Sequence, residues 1–143
     1  MKILNKEIAL KISSLVLSLA GAMDLLRGFM HTFRVRYAAE NLAKIELSSD
    51  SLVLMSAFGI SNFLTAFLFF LIVWKAREIV PYVLLIIPLS YVIGGIGMRF
   101  SNVVLESEFR GQHMMSVYLS ICLLTAIYYF IVLYINKNKS TNE

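Results

Sequence analysis

The chain has 143 residues, of which 59% are hydrophobic and only 15% charged, with a formal net charge of +4. A soluble domain of this length has too little interior to bury so much apolar surface, and a mean hydropathy of +0.76 calls for lipid as the solvent. The single cysteine, Cys122, excludes an intramolecular disulfide and a CxxC redox pair. The surplus cations flank apolar runs, which leaves no need for a nucleic-acid partner.

The first apolar run, Ile12 to Met23, follows Lys2, Lys6 and Lys11 and contains Ala20-Gly21-Ala22, so it has the outline of a signal peptide with a small-residue cleavage site. Its apolar character continues through Leu25, Leu26, Gly28, Phe29 and Met30, and Ile8 to about Phe33 is therefore read as a retained first span. The connection from Arg34 to Asp50 sets Tyr37, Leu42, Ile45 and Leu47 among charged residues, a pattern suited to a short helix at a membrane surface. Ser48-Ser49-Asp50 reads as the N-cap of the next helix. Leu52 to Trp74, Ile79 to Met98 and Met114 to Ile135 hold no Asp, Glu, Lys or Arg. Each has about the ~20 residues that a hydrocarbon core requires. Lys75-Ala76-Arg77-Glu78 is a tight polar turn, Pro81 falls in the first turn of the third span and Pro88 kinks its middle. The expected fold is all-α: an integral membrane four-helix up-down bundle forming one domain over 1–143, with spans at about 8–33, 51–74, 79–99 and 113–135.

Orientation follows from Lys and Arg near the ends of the spans. Lys2, Lys6, Lys11, Lys75, Arg77, Lys137 and Lys139 fall on one side, whereas Arg34, Arg36, Lys44, Arg99 and Arg110 on the other are offset by Glu40, Glu46, Asp50, Glu106 and Glu108. The expectation is a multi-pass protein of the cell membrane with both termini cytoplasmic.

The strongest functional signal is on the first span, where Asp24, Arg27, His31 and Arg34 fall within one ~80° arc of the helix. Two readings stay open. The stripe either lines a polar cavity opening to the outer side, with Asp24 as its deepest ionisable group, or it is an ion pair that holds helices together. Depth matching brings Ser56, Gly59 and Asn62 of the second span, Tyr91, Gly94 and Gly95 of the third, and His113, Ser116 and Ser120 of the fourth to the same half. Arg99, at the exit of the third span, is placed to reach Glu106, Glu108 or an anionic ligand. The ligand-pocket set is Asp24, Arg27, His31, Asn62, Tyr91, Arg99 and His113. No metal site and no cofactor are expected. The alternative is that His31 and His113, at the outer ends of the first and last spans, ligate haem b or a metal, with Met23, Met30, Met55, Met98, Met114 and Met115 in the same half. Methionine as a flexible packing residue accounts for these equally.

Met55-Ser56-Ala57-Phe58-Gly59-Ile60-Ser61-Asn62-Phe63-Leu64-Thr65-Ala66, followed by Ile93-Gly94-Gly95-Ile96-Gly97-Met98-Arg99-Phe100-Ser101, resembles the small four-helix membrane proteins related to DoxX. The resemblance implies a four-helix bundle, in some members tied to redox or respiratory complexes, and transfers no catalytic residue. The expected function is binding, or helping to transport, a small or lipid-soluble ligand. The alternatives are a redox or respiratory membrane subunit holding haem or a quinone, and a purely structural accessory subunit. The expected partners are the lipid bilayer and either a second copy in a homodimer or a membrane complex. Asp24, Arg27 and Tyr91 carry groups for acid-base work, but no nucleophile-base pair, metal triad or phosphate loop accompanies them, so catalysis is not expected.

Overall fold

A computed structural model describes residues 5–102 and 111–141, which are helical in nearly all their length and contain no β-strand. The expected partners of Arg99, Glu106 and Glu108, together with Arg110, lie outside the described residues. Helix α1 (Lys6–Phe33) starts where the Asn5 side chain accepts a hydrogen bond from the Glu7 amide at 2.8 Å, with Glu7 itself favourably placed in the first turn. One turn of α2 (Val35–Tyr37) runs into a π turn over Ala38–Ala43. Lys44 ends that turn in the left-handed region, at φ 53°. The helical part of this connection is thus 35–43, and its buried face is the alanines Ala38, Ala39 and Ala43. Ser48 caps α3 (Ser49–Lys75) by accepting from the Ser51 amide at 3.2 Å, which is the cap the sequence called for. A 3-10 turn over Arg77–Ile79 leads to α4 (Val80–Phe100), with Pro81 in its first turn and Pro88 inside. Helix α5 (Gly111–Thr141) closes the chain. Helices α1, α3 and α5 overrun their uncharged segments at both ends and α4 does so at its C-terminal end, because backbone hydrogen bonding continues into the polar flanks as far as caps and turns permit.

Four of these helical stretches are long and apolar enough to cross a membrane: Lys6–Phe33, Ser49–Lys75, Arg77–Phe100 and His113–Asn138. Helix α1 is the hub, packing most extensively on α3 and also on α5 and α4, while α4 packs on α5 and scarcely touches α3. Along the α1–α3 seam the contacts run in opposite senses. Arg77 Nε donates to Ser14 Oγ at 3.1 Å, Gly21 meets Ala66 and Phe70, Gly28 meets Gly59 and Phe63, and Gly59 meets His31 and Thr32. Small residues set the separation here. A Cβ on Gly59 would stand 2.5 Å from Thr32 Oγ1 and 2.9 Å from the Cβ of His31.

The apolar core occupies the half that holds the start of α1, the end of α5 and the turn at residue 77. It consists of Leu17, Ala20, Phe69, Val80, Leu84, Cys122 and Ala126, extended by Ala9, Tyr129 and Val132. Tyr82 packs edge-on against Phe130, ring centroids 5.2 Å apart. Toward the other end the packing changes. Val80, Leu84, Ile87, Tyr91 and Met98 lie on one line of α4 at i, i+4, i+7, i+11 and i+18. Val80 and Leu84 are fully buried, whereas Tyr91 is 42% exposed and Met98 43%. Gly94 and Gly95 border the same line, and among the described residues nothing lies within 4 Å of where their Cβ atoms would stand. The uncovered stretch begins just past Pro88, where the ring removes the hydrogen bond to the Leu84 carbonyl.

Candidate functional site

Where the apolar core ends, α1 places Asp24. It lies between the edge of the helix that faces α3 through Gly21 and Gly28 and the edge that faces α5 through Ala20, and it is 5% exposed. Arg27 Nη1 donates to Asp24 Oδ1 at 3.3 Å, with the two side chains only 15% and 7% exposed. The i, i+3 spacing makes this pairing local, so no second helix has to move for it to form. The guanidinium also stands over the Tyr118 ring of α5, 5.9 Å from its centroid, a cation-π arrangement. Tyr91 of α4 and Tyr118 and Cys122 of α5 are close enough to feel the Asp24 charge. Contacts thus join Asp24, Arg27 and Tyr118, while Tyr91, 42% exposed on α4, stands within electrostatic reach of them. Tyr118 joins them although the sequence reading did not select it. A tyrosine in an uncharged span looks like any interfacial aromatic. The signal that could have found it is the opposed register of α1 and α5, which pairs Ala20 with Cys122 and sets Arg27 opposite Tyr118.

The other expected site residues sit elsewhere. Asn62 is 6% exposed on α3, and its Nδ2 has no hydrogen-bond partner among the described residues. The same holds for His31 Nδ1 and Thr32 Oγ1, so the tight seam around Gly59 carries three unsatisfied polar atoms. The His31 ring lies against Phe58, centroids 5.8 Å apart, and thus faces α3. His113 instead lines a groove between α1 and α5 together with Met23 and Met114. The two histidines accordingly address different neighbours. Among the described residues no three His, Cys, Asp or Glu side chains gather as a metal set. Arg99 is exposed at the end of α4 and lines a shallow notch with Ile96 and Phe100.

Chemically, the centre of the site is an acid and a base that cancel in net charge while leaving hydrogen-bonding capacity unused. A guanidinium has five N–H donors, and a single contact to Asp24 engages one of them. Such a pair is costly to remove from water and gains most from a further acceptor. No family model matches the chain, and no curated protein or solved structure does either, so the function has to be read from this chemistry.

Proposed function

We propose that this chain is a polytopic protein of the cell membrane, an up-down four-helix bundle with both termini cytoplasmic, which binds or helps to move a small or lipid-soluble ligand at Asp24 and Arg27. The observation that carries this reading is the uncovered half of α4. Its core-facing line is packed as far as Ile87 and bare from Tyr91 on, at the level where α1 presents the buried ion pair. A bundle built only for packing would continue Val80 and Leu84 with further large aliphatic residues. This one continues them with a tyrosine and glycines that meet nothing. In such an arrangement Arg27 and the Tyr91 and Tyr118 hydroxyls orient a ligand by hydrogen bonds, and Asp24 holds the guanidinium in place. The kinship with DoxX-related proteins belongs to the same proposal and adds no residue to it.

Thiol accessibility tests the reading. In a Cys122→Ala background, Tyr91→Cys should react with a charged, water-soluble thiol reagent added from outside, because the reaction needs a thiolate and hence water. Leu84→Cys, in the sealed half, should not. An inert Tyr91→Cys would mean that this face of α4 meets lipid, and the ligand site would be withdrawn.

A further inference from the structure

Between α1 and α5 runs a groove of about 430 Å³ whose walls are almost wholly hydrocarbon. Val16, Ala20 and Met23 form its α1 wall; Val117, Tyr118 and Cys122 contribute to the other. The α1 wall residues stand at i, i+4 and i+7, and the next position on that line, i+11, is Arg27. Its guanidinium lies over Tyr118, which is itself part of the wall. At one end the groove abuts the sealed core through Ala20 and Cys122, and at the other it reaches His113. The α5 wall from Cys122 to His113 is about 13 Å long at 1.5 Å per residue. That is a slot for a single hydrocarbon chain, blind at the core end and cationic at the outer end. Leu19, Met114 and Val117 are more than half exposed along its rim, so a chain can enter sideways from lipid.

We infer that the groove holds the tail of a single-chain lipid acid, a long-chain carboxylate whose head group is received by Arg27. This deepens the ligand-binding reading of Asp24 and Arg27 and rests on it. The charge argument selects the head group: Arg27 is bound to Asp24 through one N–H only, and a carboxylate matches the remaining donors in the planar fork geometry that guanidinium favours. The dimensions select one chain, since a two-chain lipid would leave its second chain outside the slot. The buried end selects the orientation, tail toward the core and head toward His113 and Arg27.

The full-length protein, held in nanodiscs of zwitterionic phosphatidylcholine, can be titrated with a conjugated-polyene C18 carboxylate, which fluoresces on entering an apolar site. Saturable binding is expected. Palmitate should compete, whereas hexanoate should not, and hexadecanol should compete about tenfold less well. Val117 is 59% exposed, so Val117→Trp fills the groove from its rim without disturbing the core. It should weaken binding by about tenfold or more while the helical circular dichroism and its melting stay unchanged. The paired change Asp24→Asn with Arg27→Gln should remove the preference for acid over alcohol. Preferential displacement by phosphatidylglycerol would overturn the lipid-acid assignment in favour of a bilayer phospholipid. Binding that ignores both Val117→Trp and the head-group charge would overturn the groove and leave the polar-site reading standing. Absence of any saturable binding overturns the inference as well, and the Tyr91→Cys result then tells whether the polar site falls with it.

Discussion

Removing Asp24 alone should cost more stability than removing Asp24 and Arg27 together. The pair is separated by 3.3 Å with side chains 7% and 15% exposed. At an effective dielectric of 20, two unit charges at that distance attract by about 5 kcal/mol. The net coupling is smaller because desolvation opposes it, and because an arginine one turn nearer the outer end can swing part of its length toward the headgroups. Asp24→Ala leaves that arginine without its partner, and a cation at such depth costs about 2.5–3.5 kcal/mol on insertion scales. The double change exchanges both charges for methyl groups and removes this term, leaving the loss of packing. A double-mutant cycle should therefore return a coupling of about 2–3 kcal/mol. Equilibrium unfolding by a denaturing detergent, followed by helical circular dichroism, measures it. Additivity within about 0.5 kcal/mol would show that the two side chains do not act as a pair, and the picture of a neutralised charge at the head of the core would fail with it.

The glycines provide a contrast within one chain. Gly59→Ala drives a Cβ to within 2.5 Å of Thr32 Oγ1 and 3.0 Å of the His31 carbonyl carbon, and should cost about 1–3 kcal/mol in the same unfolding assay. Gly95→Ala, where nothing lies within 4 Å, should stay within about 0.5 kcal/mol of the parent, and a large loss there would mean that another surface covers α4. For topology, alkaline phosphatase fused after Glu143 should be inactive in a bacterial host, and activity would reverse the orientation inferred from Lys and Arg.

Much of the fold was legible because its determinants are local. An uncharged run of span length is a one-dimensional signal, and Leu52–Trp74 and Met114–Ile135 announce α3 and α5 without any knowledge of their neighbours. The Ser48 cap was legible for the same reason: a side-chain oxygen preceding a helix has one obvious donor to satisfy. The Asp24–Arg27 pair follows from i, i+3 geometry alone. What escaped was anything that depends on which helix stands beside which. Ser90, Tyr91 and three glycines do distinguish α4 beyond Pro88, but small residues there are equally the mark of a close helix contact, so the sequence alone does not separate the sealed Leu84 from the exposed Ile93. Depth matching put Asn62 in the same half as Asp24 but could not say that it turns into the α1–α3 seam. The α1–α5 groove was invisible because Val16, Val117 and Ile121 look like ordinary core residues until the helices are set side by side.

The asymmetry of the bundle bears on why the polar residues stand where they do. In lipid, leaving an aliphatic side chain outside the bundle costs little, so a fully apolar second half would have been an easy solution for a chain that had only to stay folded. Asp24, Arg27, Asn62 and His31 instead bring desolvation costs that local pairing offsets for two of them and leaves partly unmet for the others. The tight glycine contacts at Gly28 and Gly59 hold α1 against α3 at that same end, together with Phe33 and Phe63, whose ring centroids lie 6.3 Å apart across the seam. Stability is thus concentrated at the sealed end and in one seam, and α4 is left free of close contacts opposite the ion pair. The unmet polar atoms of His31, Thr32 and Asn62 are enclosed in that tight seam, whereas Arg27, its side chain 15% exposed, keeps donors that Asp24 does not engage, and an acceptor bound there would return part of what its burial costs.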